Sequence, residues 1–181
     1  RLTIACHVEP PKLRQITLTP DADGHVRYED DFQTSKFLHL AHVTGREDLK
    51  WQPGRLQTHG VRGRAARVLL RWKVVSPQPL RHLKVRLDGR ANEKHLGATN
   101  RLAVSLDGRK ELAADTTAGK PTDKNGNVRQ PLQLDLSGDA RFEGVRVFWV
   151  HVEMLNRSGL PTGTSNSVER LSIEADAKRG P

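Results

Sequence analysis

Residues 64–88 read RAARVLLRWKVVSPQPLRHLKVRLD, two runs in which apolar and charged residues alternate. Val68, Leu70, Trp72 and Val74 alternate with Arg67, Leu69, Arg71 and Lys73, and Leu83, Val85 and Leu87 alternate with His82, Lys84 and Arg86. Side chains on a strand point to opposite faces with a period of two. The stretch therefore predicts two strands, each with an apolar face for a core and a charged face turned outward, separated by Ser76-Pro77-Gln78-Pro79.

Charge follows the same stretch. Residues 55–95 hold eleven Lys and Arg against Asp88 and Glu93, a surplus of nine that equals the formal charge of the whole chain, +9. The basicity belongs to one segment and the remainder is neutral. A localised field of this sign favours polyanions: acidic or sulfated polysaccharide, nucleic acid or an anionic membrane surface. The other reading of such a band is the solvated outer face of a sheet. Stacking aromatics are absent from residues 55–95 apart from Trp72, which by parity faces inward, and this argues against nucleic acid.

A chain of 181 residues suits one domain with a real core better than two. No run approaches the roughly 20 apolar residues of a membrane span. The chain opens at Arg1 in an apolar run with no initiator Met and no signal peptide, as expected of a piece of a longer protein. Cys6 is the only cysteine, so neither an intrachain disulfide nor a thiolate metal cluster is available, and its apolar surroundings suit a small buried residue.

In order, the chain reads as strand and turn. LTIACHV and LRQITLT are divided by Glu9-Pro10-Pro11 and form either the edge of this domain or the tail of a preceding one, so residues 1–24 are set apart from a module at 25–181. PDADGHVRYEDDF, KFLHLAHV, DLKWQPG and RLQTHG follow. Beyond the central stretch come RLAVSLD, with Leu102, Val104 and Leu106 on one face, a polar loop DTTAGKPTDKNGN, then PLQLDL, VRVFWVHVEMLN and VERLSIEADA. Asp88-Gly89 and Asp107-Gly108 read as tight reversals. No helical period is sustained, and many short strands between Gly, Pro and Asn turns predict an all-β antiparallel sandwich of jelly-roll type.

On the long strand near the C-terminus, Phe148, Val150, Val152 and Met154 form one apolar face, so Trp149, His151 and Glu153 take the other. An indole offers its face to the C–H side of a sugar ring while neighbouring polar groups bond hydroxyls, which makes this trio a candidate glycan platform. If a loop covers Trp149, the ring is satellite core instead.

Glu29–Phe32 (EDDF), Trp-x-x-Gly at Trp51 and Gly54, VLLRWKV, NRLAVSLDG ending at Gly108, VFWVHVEMLN and TGTSNSVERLSIEA together resemble jelly-roll modules of bacterial polysaccharide-acting and cell-surface proteins, over residues 25–177. The resemblance implies a noncatalytic carbohydrate-binding module, secreted or at the cell surface, acting beside other domains of the same chain. Combined with the basic band, the expected ligand is an acidic or sulfated polysaccharide held by Arg67, Arg71, Lys73, Lys84 and Arg86, with stacking from Trp149 or Trp51 and polar contact from His151. It also implies a structural calcium, for which Glu29, Asp31, Glu174 and Asp176 are the candidate ligands. Asp21-Ala-Asp23-Gly24 and Asp123-Lys-Asn125-Gly126 carry oxygen ligands two apart without completing a calcium loop, and read as plain turns.

Two other function classes stand beside this one. A structural or protein-interaction domain would use the basic face to dock a neighbour. A jelly-roll polysaccharide lyase would use Arg71 and Arg86 to neutralise a uronate and His82 or His151 to take a proton; Tyr28 is the only tyrosine and sits beside the acidic cluster. No nucleophile elbow, metalloprotease or phosphate-loop motif is present, and His39 and His42 would fall on opposite sides of a strand, unfit to share a zinc.

Overall fold

The computed structural model describes residues 14–58, 63–157 and 165–177. Leu2 to Val8 with Cys6, the Glu9-Pro10-Pro11 break and the loop at 158–164 lie outside the described residues.

The central stretch forms one uninterrupted strand, β6 (Ala66–Asn92, 27 residues), and not two. Its halves belong to different layers. The first half pairs antiparallel with β3 (Ala41–Thr44) on one flank and with β11 (Val145–Asn156) on the other. β7 (Thr99–Ser105) lies beside β11 and β8 (Glu111–Thr116) beside β7, while β1 (Ile16–Thr17) runs parallel to β6 at Val74 and Val75. The second half pairs with β12 (Asn166–Ala177) on one flank, and on the other with β10 (Leu132–Asp135) and β9 (Asn127–Val128). The far edge of β12 takes β2 (His25–Asp30) and β5 (Arg55–Thr58), the latter in a hairpin with β4 (Leu49–Gln52). The fold is an antiparallel β-sandwich of jelly-roll type.

The corner in β6 has an identifiable origin. Pro77 and Pro79 have no N–H to give a ladder, and Ser76 Oγ accepts the Gln78 N–H at 3.2 Å. Three residues on, His82 adopts φ 51°, and the β12 pairing advances from Arg81 to Lys84 while β12 moves only from Asp176 to Glu174. The extra residue is a β-bulge. It flips the parity, so that Val68, Leu70, Trp72, Val74 and Leu80 ahead of it and Leu83, Val85 and Leu87 behind it all enter the same core.

That core also takes Phe148, Val150, Val152 and Met154 from β11, as alternation predicts, and Val168, Leu171 and Ile173 from β12, where a slip in the pairing with β6 between Val168 and Arg170 brings residues three apart onto one face. Ile16 and Leu18 are buried in it too, so this part of the leading segment packs on the sandwich. Four local expectations change, and the first is the Asp88-Gly89 reversal, which is not a turn because both residues lie inside β6 and pair with β12. KFLHLAHV begins as a single helical turn, α1 (Phe37–Leu40), before β3. β8 occupies the start of the stretch expected to be loop. Leu106 is exposed, because β7 ends at Ser105 and the chain turns. No helix among the described residues is long and apolar enough to cross a membrane.

Candidate functional site

The cations of the central strand do not form one band. Both halves of β6 turn their apolar side chains into a common core, so their polar side chains project from opposite sides of the sandwich. Arg67, Arg71 and Lys73 lie on the outer face of the first layer, and Lys84 and Arg86 on that of the second. The second face is also locally neutralised: Lys84 lies 3.6 Å from Asp135, Arg86 2.8 Å from Asp88, Arg27 2.9 Å from Glu29 and Arg170 3.5 Å from Glu29. Arg67 is likewise engaged, its Nε donating to Glu153 at 2.9 Å. Arg71 and Lys73 have no carboxylate in ion-pair range among the described residues.

These two cations stand next to the ring singled out on β11. The register sets Trp149 beside Lys73, and His151 beside Arg71, which in turn faces His42 of β3. Trp149 is half-buried, and its ring centroid lies 5.8 Å from that of His42. The turn after β7 closes the other side. His42, Arg71 and Trp149 together with Asp107, Gly108 and Arg109 line an open depression of about 310 Å³. The Arg71 Nε is buried without a hydrogen-bond partner, which leaves one donor of this lining residue unsatisfied. Asp107 is the only carboxylate of the lining; the N–H groups of Arg109 and Lys110 bond its Oδ1 at 2.8 Å and hold its pKa below the ordinary value.

His151 differs from expectation. It is 5% exposed and supports the floor instead of forming a surface. Its Nε2 lies 2.8 Å from Ser105 Oγ, which also accepts the Gly108 N–H at 3.0 Å. Burial pushes the His151 pKa down, and nearby Arg71 adds to this against the opposing charges of Glu111 and Asp107. The imidazole therefore ties the Asp107–Gly108 turn to the sheet. Gly108 fits there because φ is +76° and because a Cβ would meet the indole at 2.9 Å. Such a site offers an apolar ring face, a guanidinium in want of an acceptor, and flanking polar groups, which is the chemistry of holding a polar ring bearing an acceptor or an anion.

The other expected residues are elsewhere. Trp51 is 37% exposed on β4, at the edge of the second layer, where its Nε1 donates to the Phe32 carbonyl at 2.9 Å. It does not join Trp149. The lyase set is divided: Arg71 and His151 belong to the first layer, Arg86 and His82 to the second. The four carboxylates weighed for calcium do not converge. Glu29 is held by Arg27 and Arg170, Glu174 lies 3.9 Å from Arg27, Asp176 bonds His25 and His82, and Asp31 accepts the Gln33 N–H. No group of three or more His, Cys, Asp or Glu among the described residues is arranged to hold a metal, so this donor set does not fit the ion. Asp21 and Asp123 bond backbone N–H groups two and four residues on, as turn residues do.

His42, Ser105, Gly108 and Arg109 were missed at the sequence level. The Asp-Gly reversal and the outward parity of Trp149 were legible separately. The strand register that brings them together was not.

No protein-family model and no curated protein matches the chain. Among solved structures, the chain is similar to a xylan-binding module, CBM15, at 10% identity and TM-score 0.51, over 86% of this chain and 100% of that one. It is also similar to a mannan-recognising module, TmCBM27, at 12% identity and TM-score 0.40 over 84% and 99% of the two chains. A third is TmCBM61, solved with β-1,4-galactotriose, at 10% identity and TM-score 0.39 over 84% of each. The likeness to CBM15 is one of fold.

Proposed function

We propose that the protein is a noncatalytic carbohydrate-binding module for an anionic polysaccharide, with the sugar seated on the outer face of the first layer. Trp149 stacks on the apolar side of a ring. Arg71, flanked by Lys73 and Arg109, takes the carboxylate or sulfate. The observation that carries this reading is Arg71, which has no carboxylate in ion-pair range among the described residues and lines a depression shared with a half-buried indole. Its fold is one that a xylan-binding module also adopts, and that supports the carbohydrate part; fold alone does not decide function. The preference for acid rests on the unpaired Arg71 and Lys73. Such a module acts outside the cell beside other domains of its own chain. Arg67, Lys84 and Arg86 do not contribute directly, because each has a carboxylate partner.

A binding measurement against neutral, uronate-bearing and sulfated polysaccharides tests this. Wild-type protein is expected to bind the anionic polymers and to lose affinity as salt shortens the screening length. W149A is expected to abolish binding, and R71A to lower affinity for the anionic polymers about tenfold, in keeping with a charge-assisted bond. Binding that is indifferent to both substitutions, or absent for every polysaccharide, overturns the proposal.

A further inference from the structure

We infer that the far end of the same face holds a second subsite, which seats an uncharged sugar of the same chain, so that the ligand is an internal stretch of a polymer in which acidic and neutral sugars are mixed. The inference rests on the reading of Trp149 given above. Its basis is a depression of about 490 Å³ lined by Glu93, Thr99, Arg101, Glu153, Leu155 and Arg157, among others. Glu153 and Leu155 share the outward parity of Trp149 on β11. At the rise of a strand, Leu155 lies about 20 Å from Trp149. The two depressions therefore occupy the two ends of one face, too far apart for a single sugar and aligned along one strand.

The chemistry of the two ends differs. No aromatic ring lines the second depression. Glu93 Oε1 accepts the Gly119 N–H at 2.9 Å, while its Oε2 is buried without a partner. Glu93 lines the depression, and a small rotation of its carboxylate would bring the unpartnered oxygen to an O–H or N–H donor, which a sugar hydroxyl supplies. A second carboxylate in that position meets like charge. Glu153 and Arg101 are fixed by Arg67 and Glu111, and exposed Arg157 has no ion-pair partner among the described residues. The far end thus offers an acceptor and a peripheral donor to hydroxyls, and the demand for an anion stays at Arg71.

The probes are a trisaccharide and a hexasaccharide each bearing one glucuronic acid, and a hexamer of galacturonic acid. The wild-type protein is expected to bind the singly acidic hexasaccharide at least about tenfold more tightly than the trisaccharide, and more tightly than the all-acid hexamer. In E93Q and in R157A that length advantage shrinks toward one while trisaccharide affinity is unchanged. A wild-type advantage of one, variants that keep the advantage, or an all-acid hexamer that binds best overturns the second subsite and leaves the Trp149 reading standing. Trisaccharide binding that survives W149A, or that is absent, overturns the Trp149 reading and this inference with it.

Discussion

Gly108 lies against the indole of Trp149 so closely that a methyl group there would stand 2.9 Å from Cε2 and 3.1 Å from Nε1. The turn that carries Gly108 and the ring that carries the proposed contact are therefore mechanically one unit. Whatever moves the turn moves the ring.

G108A tests that coupling. The left-handed backbone at φ +76° costs an alanine roughly 1–2 kcal/mol, and the added methyl group must displace the indole. G138A supplies the comparison, since Gly138 has φ +84° and nothing within 4 Å of an added Cβ. Both variants are expected to lower the melting temperature. Only G108A should alter tryptophan emission and weaken polysaccharide binding; equal effects from the two would show that the indole is not held by the turn.

The His151–Ser105 pair sets a pH dependence. Burial holds the folded pKa of His151 below its ordinary 6.5, so at pH values between the two the unfolded chain binds more protons than the folded one. Stability from this site is fully present above about 6.5 and falls as the pH drops through the lower folded value. Melting curves between pH 7.5 and 5 should show this loss, with a smaller slope in H151Q. S105A is expected to weaken binding at pH 7 by freeing the Asp107–Gly108 turn. An H151Q slope equal to that of the wild type would exclude His151 as its source.

How far the sequence disclosed this arrangement depends on which physical rule each residue answers to. Alternation placed Trp72, Phe148 and Val150 in the core and Trp149 outside, because a half-buried strand must sort its side chains by face. It could not say on which layer an outward residue would lie. Arg71 and Arg86 look equivalent in the chain, yet the proline corner and the His82 bulge carry them to opposite sides. The neighbours of Trp149 on β3 and in the turn after β7 come from register, and short edge strands such as Ala41–Thr44 carry too few residues to reveal theirs. Carboxylates looked like a calcium set when read as types alone; in the fold each is taken by a cation or a backbone N–H.

Asp176 on the opposite face joins two imidazoles, with His25 Nδ1 at 2.7 Å and His82 Nδ1 at 2.8 Å. The hydrogen bond that His25 donates to Asp176 raises the pKa of His25, while His82 and His25 lower that of Asp176. The signs differ. The His25 contribution is present below its ordinary 6.5 and is lost as pH rises through the raised value; the Asp176 contribution is present above its ordinary 3.8 and is lost as pH falls through the lowered one. Both operate between those two values. NMR titration should find the His25 pKa nearer 6.5 in D176N than in the wild type, and an unmoved His25 would show that the contact is not formed in solution. All three groups lie on the face opposite Trp149, so polysaccharide binding there should not change.

Because β6 is central to both layers, neither layer can be dismantled while the other persists. Loss of order at Val75 and Leu80, which flank the Ser76–Pro79 corner, withdraws paired neighbours from β11 and β12 at once. The domain should accordingly melt in a single cooperative step, with the face around Trp149 and the face around Asp176 reporting the same midpoint although they share no side-chain contact.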